Sequence, residues 1–367
     1  MYLVTGGCGF VGKHLVKELI RLGKSVRILD SLSPQVHGKS PDLRWLNQSG
    51  IEFIHGSVCD NDVCSKALKG VDTVFHLAAE TGTGQSMYEM RLYADTNVTG
   101  TAAILEECLR SGVHTFVLSS SRAVYGEGIW RCPDCGPVNP AIRKTRKTAP
   151  GWNPLCPSCD LETEKLLPTT EIGRISPVSI YGATKVAQEQ LSLLASETGK
   201  ISCRVLRFFN VYGPGQALSN PYTGVLGVFV NRARQGKRLD LYEDGLIERD
   251  FVNVADVVNA LIKASQAEFD GAINIGSGQS QTIMDLARKI IELSESSSTT
   301  SVTGKGRLGD VRGLVADISR AREILGWEPK IGIDEGLKEY VGWALMQEYE
   351  DKYEQSLEEL KQKGLYT

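Results

Sequence analysis

The opening dozen residues, MYLVTGGCGFVG, constrain the fold more than any other part of the chain. Residues 2 to 5 read as a short strand, and Gly6, Gly9 and Gly12 follow at GxxGxxG spacing where a helix begins. Glycines there let the backbone turn tightly and approach a pyrophosphate, which rests on the positive end of the helix. The spacing alone also occurs in ordinary tight turns. Asp30 supplies the second signal, because it closes the next strand, where a carboxylate binds both ribose hydroxyls and repels a 2'-phosphate. Together they predict a dinucleotide site that prefers NAD to NADP.

Runs rich in Val, Ile, Leu and Phe recur at 25 to 29, 51 to 54, 73 to 78, 114 to 119 and 202 to 208. They read as strands buried on both faces. Amphipathic segments such as Val11 to Leu22 and Val98 to Arg110 lie between them. That alternation predicts an α/β fold with a doubly wound parallel sheet. A chain of 367 residues fits one large or two modest cores. After Asn210 the pattern turns to Gly/Pro-rich loops, including GPGQALSNPYTGV at 213 to 225. The expected division is a Rossmann domain over 1–210, a substrate lobe mainly over 211–345 with parts returning to the Rossmann core, and a helical tail over 346–367. The charge alternation of the tail reads as a solvated surface helix.

Residues 131–172, dense in Pro, Cys, Lys and Arg, break the alternation and read as an insertion. Cys132 and Cys135 form one CxxC and Cys156 and Cys159 another, the spacing of a zinc ribbon. Four thiolates close a tetrahedral shell and leave no position for substrate, so a structural zinc is expected. Two local disulfides or four free thiols are the alternatives. Cys8, Cys59, Cys64, Cys108 and Cys203 are scattered and read as small buried hydrophobes. Lying between Ser121 and Tyr181, the insertion is expected to hang beside the site as a lid or wall.

Lys plus Arg at 41 against Asp plus Glu at 44 leaves a net charge of -3, so no overall field attracts nucleic acid or an acidic membrane. A small-molecule partner is expected. The sequence has no apolar run of the roughly 20 residues a membrane span needs. A strand from residue 2 leaves no room for a leader, and a cytoplasmic enzyme is the expectation.

Tyr181 and Lys185 stand four apart in YGATKVAQEQLSLLA, on one face of a helix. A tyrosine with a pKa near 10 is a poor base at neutral pH, but an adjacent ammonium favours its phenolate. Such pairs are common on helices. Here LSSSRAVYG at 118 to 126 adds a serine cluster at the carboxyl edge of the sheet, where ligands of such folds bind.

The ordered set GGCGFVG, HLAA at 76 to 79, NVTGT at 97 to 101, SSSRAVYG, YGATK and RFFNVYGPG at 207 to 215 resembles the extended short-chain dehydrogenases that modify nucleotide sugars. The resemblance spans nearly the whole chain. It implies Ser121 as catalytic serine, Tyr181 as acid/base and Lys185 on the nicotinamide ribose. It further implies NAD contacts from Phe10, Val11, Ser57, Val58, Leu77, Ala78, Ala79 and Asn97, the last also supporting the sheet and the active-site helix. Ser57 departs from the aspartate many relatives carry near the adenine. Asn210, Asn220, Arg249 and Arg307 would face the nucleotide diphosphate and sugar, with Thr81, Gly82, Thr83 and Gln85 on the sugar side. Arg122 and Ala123 follow Ser121, where the family's 4,6-dehydratases need an Asp-Glu pair, so redox-neutral 4-epimerisation is expected. The segments HLAAETGTGQSMYEM and EDGLIERDF, with the cysteine insertion, are most similar to dTDP-L-rhamnose 4-epimerases. UDP-hexose or UDP-hexuronate epimerisation and net reduction are the competing chemistries. Relatives pair through two helices, here Asn97 to Arg110 and Tyr181 to Ser196, which implies a homodimer. A non-catalytic NAD-binding scaffold that uses the ribbon and Arg143, Lys144, Arg146 and Lys147 to hold a macromolecule is the remaining alternative.

Overall fold

The structure, a computed structural model, describes residues 1–39, 41–139, 151–220, 222 and 224–366. The charge run of Arg143, Lys144, Arg146 and Lys147 lies outside the described residues. In chain order the strands are β1 (Tyr2–Thr5), β2 (Val26–Asp30), β3 (Ile51–His55), β4 (Thr73–His76), β5 (Thr115–Ser121), β6 (Ile129–Cys132), β7 (Gly136–Val138) and β8 (Lys165–Thr169). They continue as β9 (Ser202–Phe208), β10 (Asn210–Tyr212), β11 (Leu239–Leu241), β12 (Glu248–Asn253), β13 (Gly271–Ile275), β14 (Ser280–Thr282), β15 (Thr300–Val302) and β16 (Gly313–Ala316).

The first sheet runs β13-β9-β5-β4-β1-β2-β3 with every pair parallel. Alternate residues of a strand point to opposite faces, and neighbours accordingly serve different cores. Val4, Ile28, Phe75, Val117 and Leu206 pack with Leu15 and Leu261 of the helices Phe10–Arg21 and Val254–Gln266. Leu3, Leu29, Val74, Phe116 and Val205 pack with Ile104, Leu105 and Cys108 on the other face. This is the doubly wound parallel sheet read from the alternation. One strand differs from the reading: β3 is half-exposed, because it stands at the sheet edge with a single neighbour. The strand order reverses at β1, flanked by β2 and β4, and crevices of open α/β sheets form outside the carboxyl ends at such a point.

The second sheet runs β10-β12-β16-β8-β6-β7. β14 joins it by pairing with β12, and three of its seven strands, β6, β7 and β8, come from the neighbourhood of the cysteine insertion. The insertion is built into this sheet, since β8 pairs with β16 in parallel and with β6 in antiparallel register. The physical reason is a small core of Trp130, Leu166 and Val315, one residue from each of these strands, which only the paired arrangement buries. A further core joins the helices Val225–Ala233, Ile283–Leu293 and Ile333–Leu345 against Leu239, Leu241 and Phe251. Asp250 ties these parts together. Its buried carboxylate accepts from the backbone of Ser277 and Gly278, just after β13, and of Ala316 in β16.

The helix of the tail, Tyr353–Gln362, is mostly polar and exposed, with Leu360 and the following Leu365 buried against the body of the protein. Among the described residues no helix is long and apolar enough to cross a membrane.

Candidate active site

The glycine loop lies at the carboxyl end of β1. Gly6 has φ +67 and stands so near Ala78 that a Cβ would come within 2.8 Å of its amide nitrogen. At Gly12 a Cβ would lie 2.3 Å from the Gly6 carbonyl oxygen, so the first helical turn packs on the loop with no room for a side chain. Gly9 caps the helix Phe10–Arg21 without a side chain, which leaves the amides of Phe10, Val11 and Gly12 directed at a crevice. The Asp30 carboxylate is fixed by the Cys8 amide at 2.9 Å and the Leu32 amide at 2.8 Å. Burial opposes its charge, while bonds from His37 and these two amides outweigh it and hold the carboxyl below its usual range. A charged, oriented acceptor beside a glycine-lined helix terminus fits a dinucleotide with free ribose hydroxyls. Leu77 to Ala79 follow β4, and the Ala78 amide donates to Thr5 Oγ1 at 3.2 Å. On the other flank the Ser57 hydroxyl closes a turn by accepting from the Cys59 amide, and Val58 packs against Gly100.

At the end of β5, Ser121 caps a short 3-10 turn, its hydroxyl accepting from the Ala123 amide at 3.1 Å. The helix Ile180–Ser196 places the Tyr181 phenol close enough to Ser121 for the serine to act on its proton affinity, and leaves the Lys185 ammonium 5.9 Å from the Tyr181 ring centroid. The three sequence-predicted catalytic residues therefore meet. Lys185 donates to the Ser119 carbonyl at 2.8 Å, and burial brings its pKa down to about 7 against the opposing charge of Glu189. Burial likewise raises the Tyr181 phenol, while the nearby Ser121 hydroxyl and the Arg122 charge act downward.

Asn97 lies in a π-helical turn, Ala94–Thr99, a geometry frequent at functional sites. Its amide bonds both the N–H and the carbonyl of Glu80 and reaches Thr184 at 3.0 Å, one residue before Lys185. Beneath the site Glu189 takes two hydrogen bonds from Arg207, at 2.9 and 2.7 Å, and one from Ser120.

The residues expected on the substrate side divide. Thr83 packs near Gly309, and Arg307 pairs with Asp310 at 2.9 Å, so these loops meet. Asn220 is buried with its Oδ1 accepting from the Tyr222 amide. Thr81 is exposed, and its carbonyl accepts from Tyr93, whose ring lies edge-on to Tyr181 at 6.4 Å. Gln85, expected to line the sugar side, pairs both ends of its amide with Gln35 at 2.8 and 2.9 Å. The Asn210 Nδ2 donates to the Asp250 carbonyl and its Oδ1 accepts from Arg122 at 3.0 Å. Arg122 is the residue that sequence reasoning missed, having been noted only as a missing acid; a cation immediately after Ser121 was the available signal. Arg249 is buried, directs three hydrogen bonds at the carbonyls of Glu248, Val311 and Arg312, and is pushed down to about 9 by burial and the Arg122 charge. Among the described residues neither Arg122 nor Arg249 has a carboxylate within ion-pair distance. Arg122, whose charge reaches Tyr181, and the neighbouring Arg249 suit an anionic ligand.

Away from these groups, the sulfurs of Cys132, Cys135, Cys156 and Cys159 all lie within 4.8 Å of one another. Cys159 Sγ is 3.5 Å from that of Cys132 and 3.6 Å from that of Cys135, too far for a disulfide and near the separation of sulfurs sharing one tetrahedral ion with bonds of about 2.3 Å.

A glycine-loop nucleotide cradle after β1 and a Ser–Tyr–Lys set after β5 occur together in extended short-chain dehydrogenases, and this fold and site are of that class. Residues 2–148 and 159–276 match the NAD dependent epimerase/dehydratase family, to which the chain belongs. The dTDP-L-rhamnose 4-epimerase of Burkholderia thailandensis is 37% identical over 93% of this chain and 94% of its own length. The Thermotoga maritima UDP-glucose 4-epimerase, solved with UDP-glucose, superposes with a TM-score of 0.76 at 31% identity, covering 93% of this chain and 97% of that one. The Bacillus cereus UDP-glucuronic acid 4-epimerase, solved with UDP-glucuronic acid and NAD, has a TM-score of 0.76 at 25% identity, covering 94% and 98%.

Proposed function

We propose that this enzyme interconverts the C4 epimers of a nucleotide sugar, with dTDP-L-rhamnose and dTDP-6-deoxy-L-talose as the pair. The observation that carries the reading is the meeting of Ser121, Tyr181 and Lys185 with Arg122 and Ala123 in place of any carboxylate pair after the serine. Bound NAD supplies a hydride acceptor that gives back what it takes. Tyr181 removes the C4 hydroxyl proton and returns it to the ketone oxygen after the sugar has turned. Ser121 hydrogen-bonds that oxygen, and the Lys185 ammonium favours the phenolate and holds the nicotinamide ribose. Gly6, Gly9, Gly12 and Asp30 hold the cofactor, and Arg122, Arg249 and Arg307 hold the diphosphate side. The 37% identity to the rhamnose epimerase over 93% of the chain supports the sugar. UDP-hexose or UDP-hexuronate is the second reading, favoured by the UDP sugars in the similar solved structures.

The cysteine cluster holds a structural zinc in this reading, supported by the sulfur separations. A homodimer formed through the helices Asn97 to Arg110 and Tyr181 to Ser196 belongs to this reading, supported by the exposed Leu194 on the second of them. Replacing Tyr181 by phenylalanine tests the reaction: turnover of dTDP-L-rhamnose should fall by roughly 100-fold or more, the scale of a lost acid/base group, while bound NAD is retained. Undiminished turnover would show that the proton passes elsewhere.

A further inference from the structure

The C-terminal segment 353–366 touches the loops that carry the substrate-facing residues. Tyr222, two residues beyond Asn220, donates to the Glu359 carboxylate, and the Tyr88 hydroxyl lies 3.0 Å from that of Tyr222 and 3.4 Å from Glu359. A Cβ on Gly84 would meet Leu360 at 3.3 Å and Arg307 at 3.6 Å, so both pack on the turn that follows Thr83. The Leu308 amide donates to the Leu365 carbonyl at 2.9 Å, and Arg307 and Tyr366 form an antiparallel bridge. The Tyr366 ring lies 5.6 Å from that of Tyr242, whose phenol senses the charges of Arg307 and Asp310. The start of the segment is moored separately, Arg232 pairing with Glu354 at 2.9 Å and stacking over Tyr353 at 4.4 Å. One strip of chain thus bridges Thr83, the neighbourhood of Asn220, and Arg307.

The chemistry gives such a strip a task. A ketone that must present its other face to the nicotinamide has to loosen its hold on the site before the hydride returns. If it leaves, the two electrons stay on the cofactor and the enzyme stalls in its reduced form. Covering segments of this kind retain intermediates elsewhere in enzymology.

We propose that residues 353–366 roof the nucleotide-sugar site, closing through the Tyr88–Tyr222–Glu359 clasp and the Arg307–Tyr366 bridge, and keep the 4-keto sugar in place while it turns. The retention role rests on the epimerase reading; the roof itself does not. Two measurements separate them. In the full-length protein, saturating dTDP or UDP should slow tryptic cleavage at Lys352, Lys361 and Lys363 by roughly tenfold, a closure energy of about 1.4 kcal/mol. In the chain ending at Met346, and in Glu359→Ala should truncation prevent folding, turnover should leave reduced nicotinamide on the enzyme, seen by its absorbance, with 4-keto sugar free in solution. Cleavage unaffected by either nucleotide would overturn the roof. A folded variant with unchanged KM and no reduced cofactor would overturn its retention role. Should no nucleotide sugar turn over in the intact enzyme, the epimerase reading fails while the cleavage result still decides the roof.

Discussion

Replacing Lys185 by methionine should stabilise the cofactor-free protein while abolishing turnover. The lysine is 3% exposed, and burial takes its pKa from 10.5 down to about 7. Each unit of such a shift corresponds to about 1.4 kcal/mol, so holding the ammonium in the fold costs roughly 5 kcal/mol at low pH. Methionine removes that cost and leaves the Ser119 carbonyl without its donor, a loss of about 1 to 3 kcal/mol. A net gain of about 2 to 4 kcal/mol is expected below pH 7. The sign of the pH dependence follows from the depressed pKa. Between about pH 7 and pH 10 the unfolded chain carries a proton that the folded chain has released, so the wild type gains stability as the pH rises through that window. The advantage of the variant should therefore shrink by about 3 kcal/mol between about pH 6 and pH 9. Urea denaturation of both proteins, freed of NAD, at about pH 6 and pH 9 measures it, with equal m-values as the control. A stability difference that does not change with pH would refute the buried-ammonium account.

Gly12→Ala places a Cβ 2.3 Å from the Gly6 carbonyl and should open the glycine loop; titration calorimetry should show NAD affinity down by roughly tenfold or more, matching an overpacking energy of about 1 to 3 kcal/mol. Glu189→Ala strips the buried Arg207 of its carboxylate and should cost about 3 to 5 kcal/mol, read by denaturant midpoint. The double variant Glu189→Leu, Arg207→Leu should cost less than that single change, and an equal or larger cost contradicts the pairing. Stripping metal from the cysteine cluster, or Cys132→Ser, should weaken sugar-nucleotide binding and spare NAD, because β6 connects through β8 and β16 to β12 and its Arg249. Glu127 and Asn153 add side-chain links to Arg312. Metal analysis with separate NAD and dTDP titrations checks this, and unchanged sugar binding in metal-free protein removes the coupling.

The cofactor half was legible because its signals are local. Glycines at fixed spacing after a strand, a carboxylate closing the next strand, and tyrosine and lysine one helical turn apart each depend on neighbours within the chain segment. The substrate side depends on contacts between distant segments. Nothing in the sequence pairs Gln85 with Gln35 or turns Asn210 toward Arg122 and Asp250, and both residues were expected to face the ligand. The insertion was recognised by its cysteines, but its membership of the second sheet rests on β8 meeting β16, strands about 150 residues apart in sequence. The tail read as solvated because its helix is polar overall. Its burial hangs on Leu360, Leu365 and a few aromatic contacts, too sparse for a periodic signal.

Redox-neutral inversion at C4 is tested most directly by incubating the purified enzyme with dTDP-L-rhamnose and following the C4 proton by NMR. The expected result is a mixture of dTDP-L-rhamnose and dTDP-6-deoxy-L-talose that reaches the same composition from either side, with no net consumption of NAD. The absence of a C4 epimer from this sugar and from the UDP-hexoses and UDP-hexuronates, or product formed only with stoichiometric reduction of NAD, would contradict it.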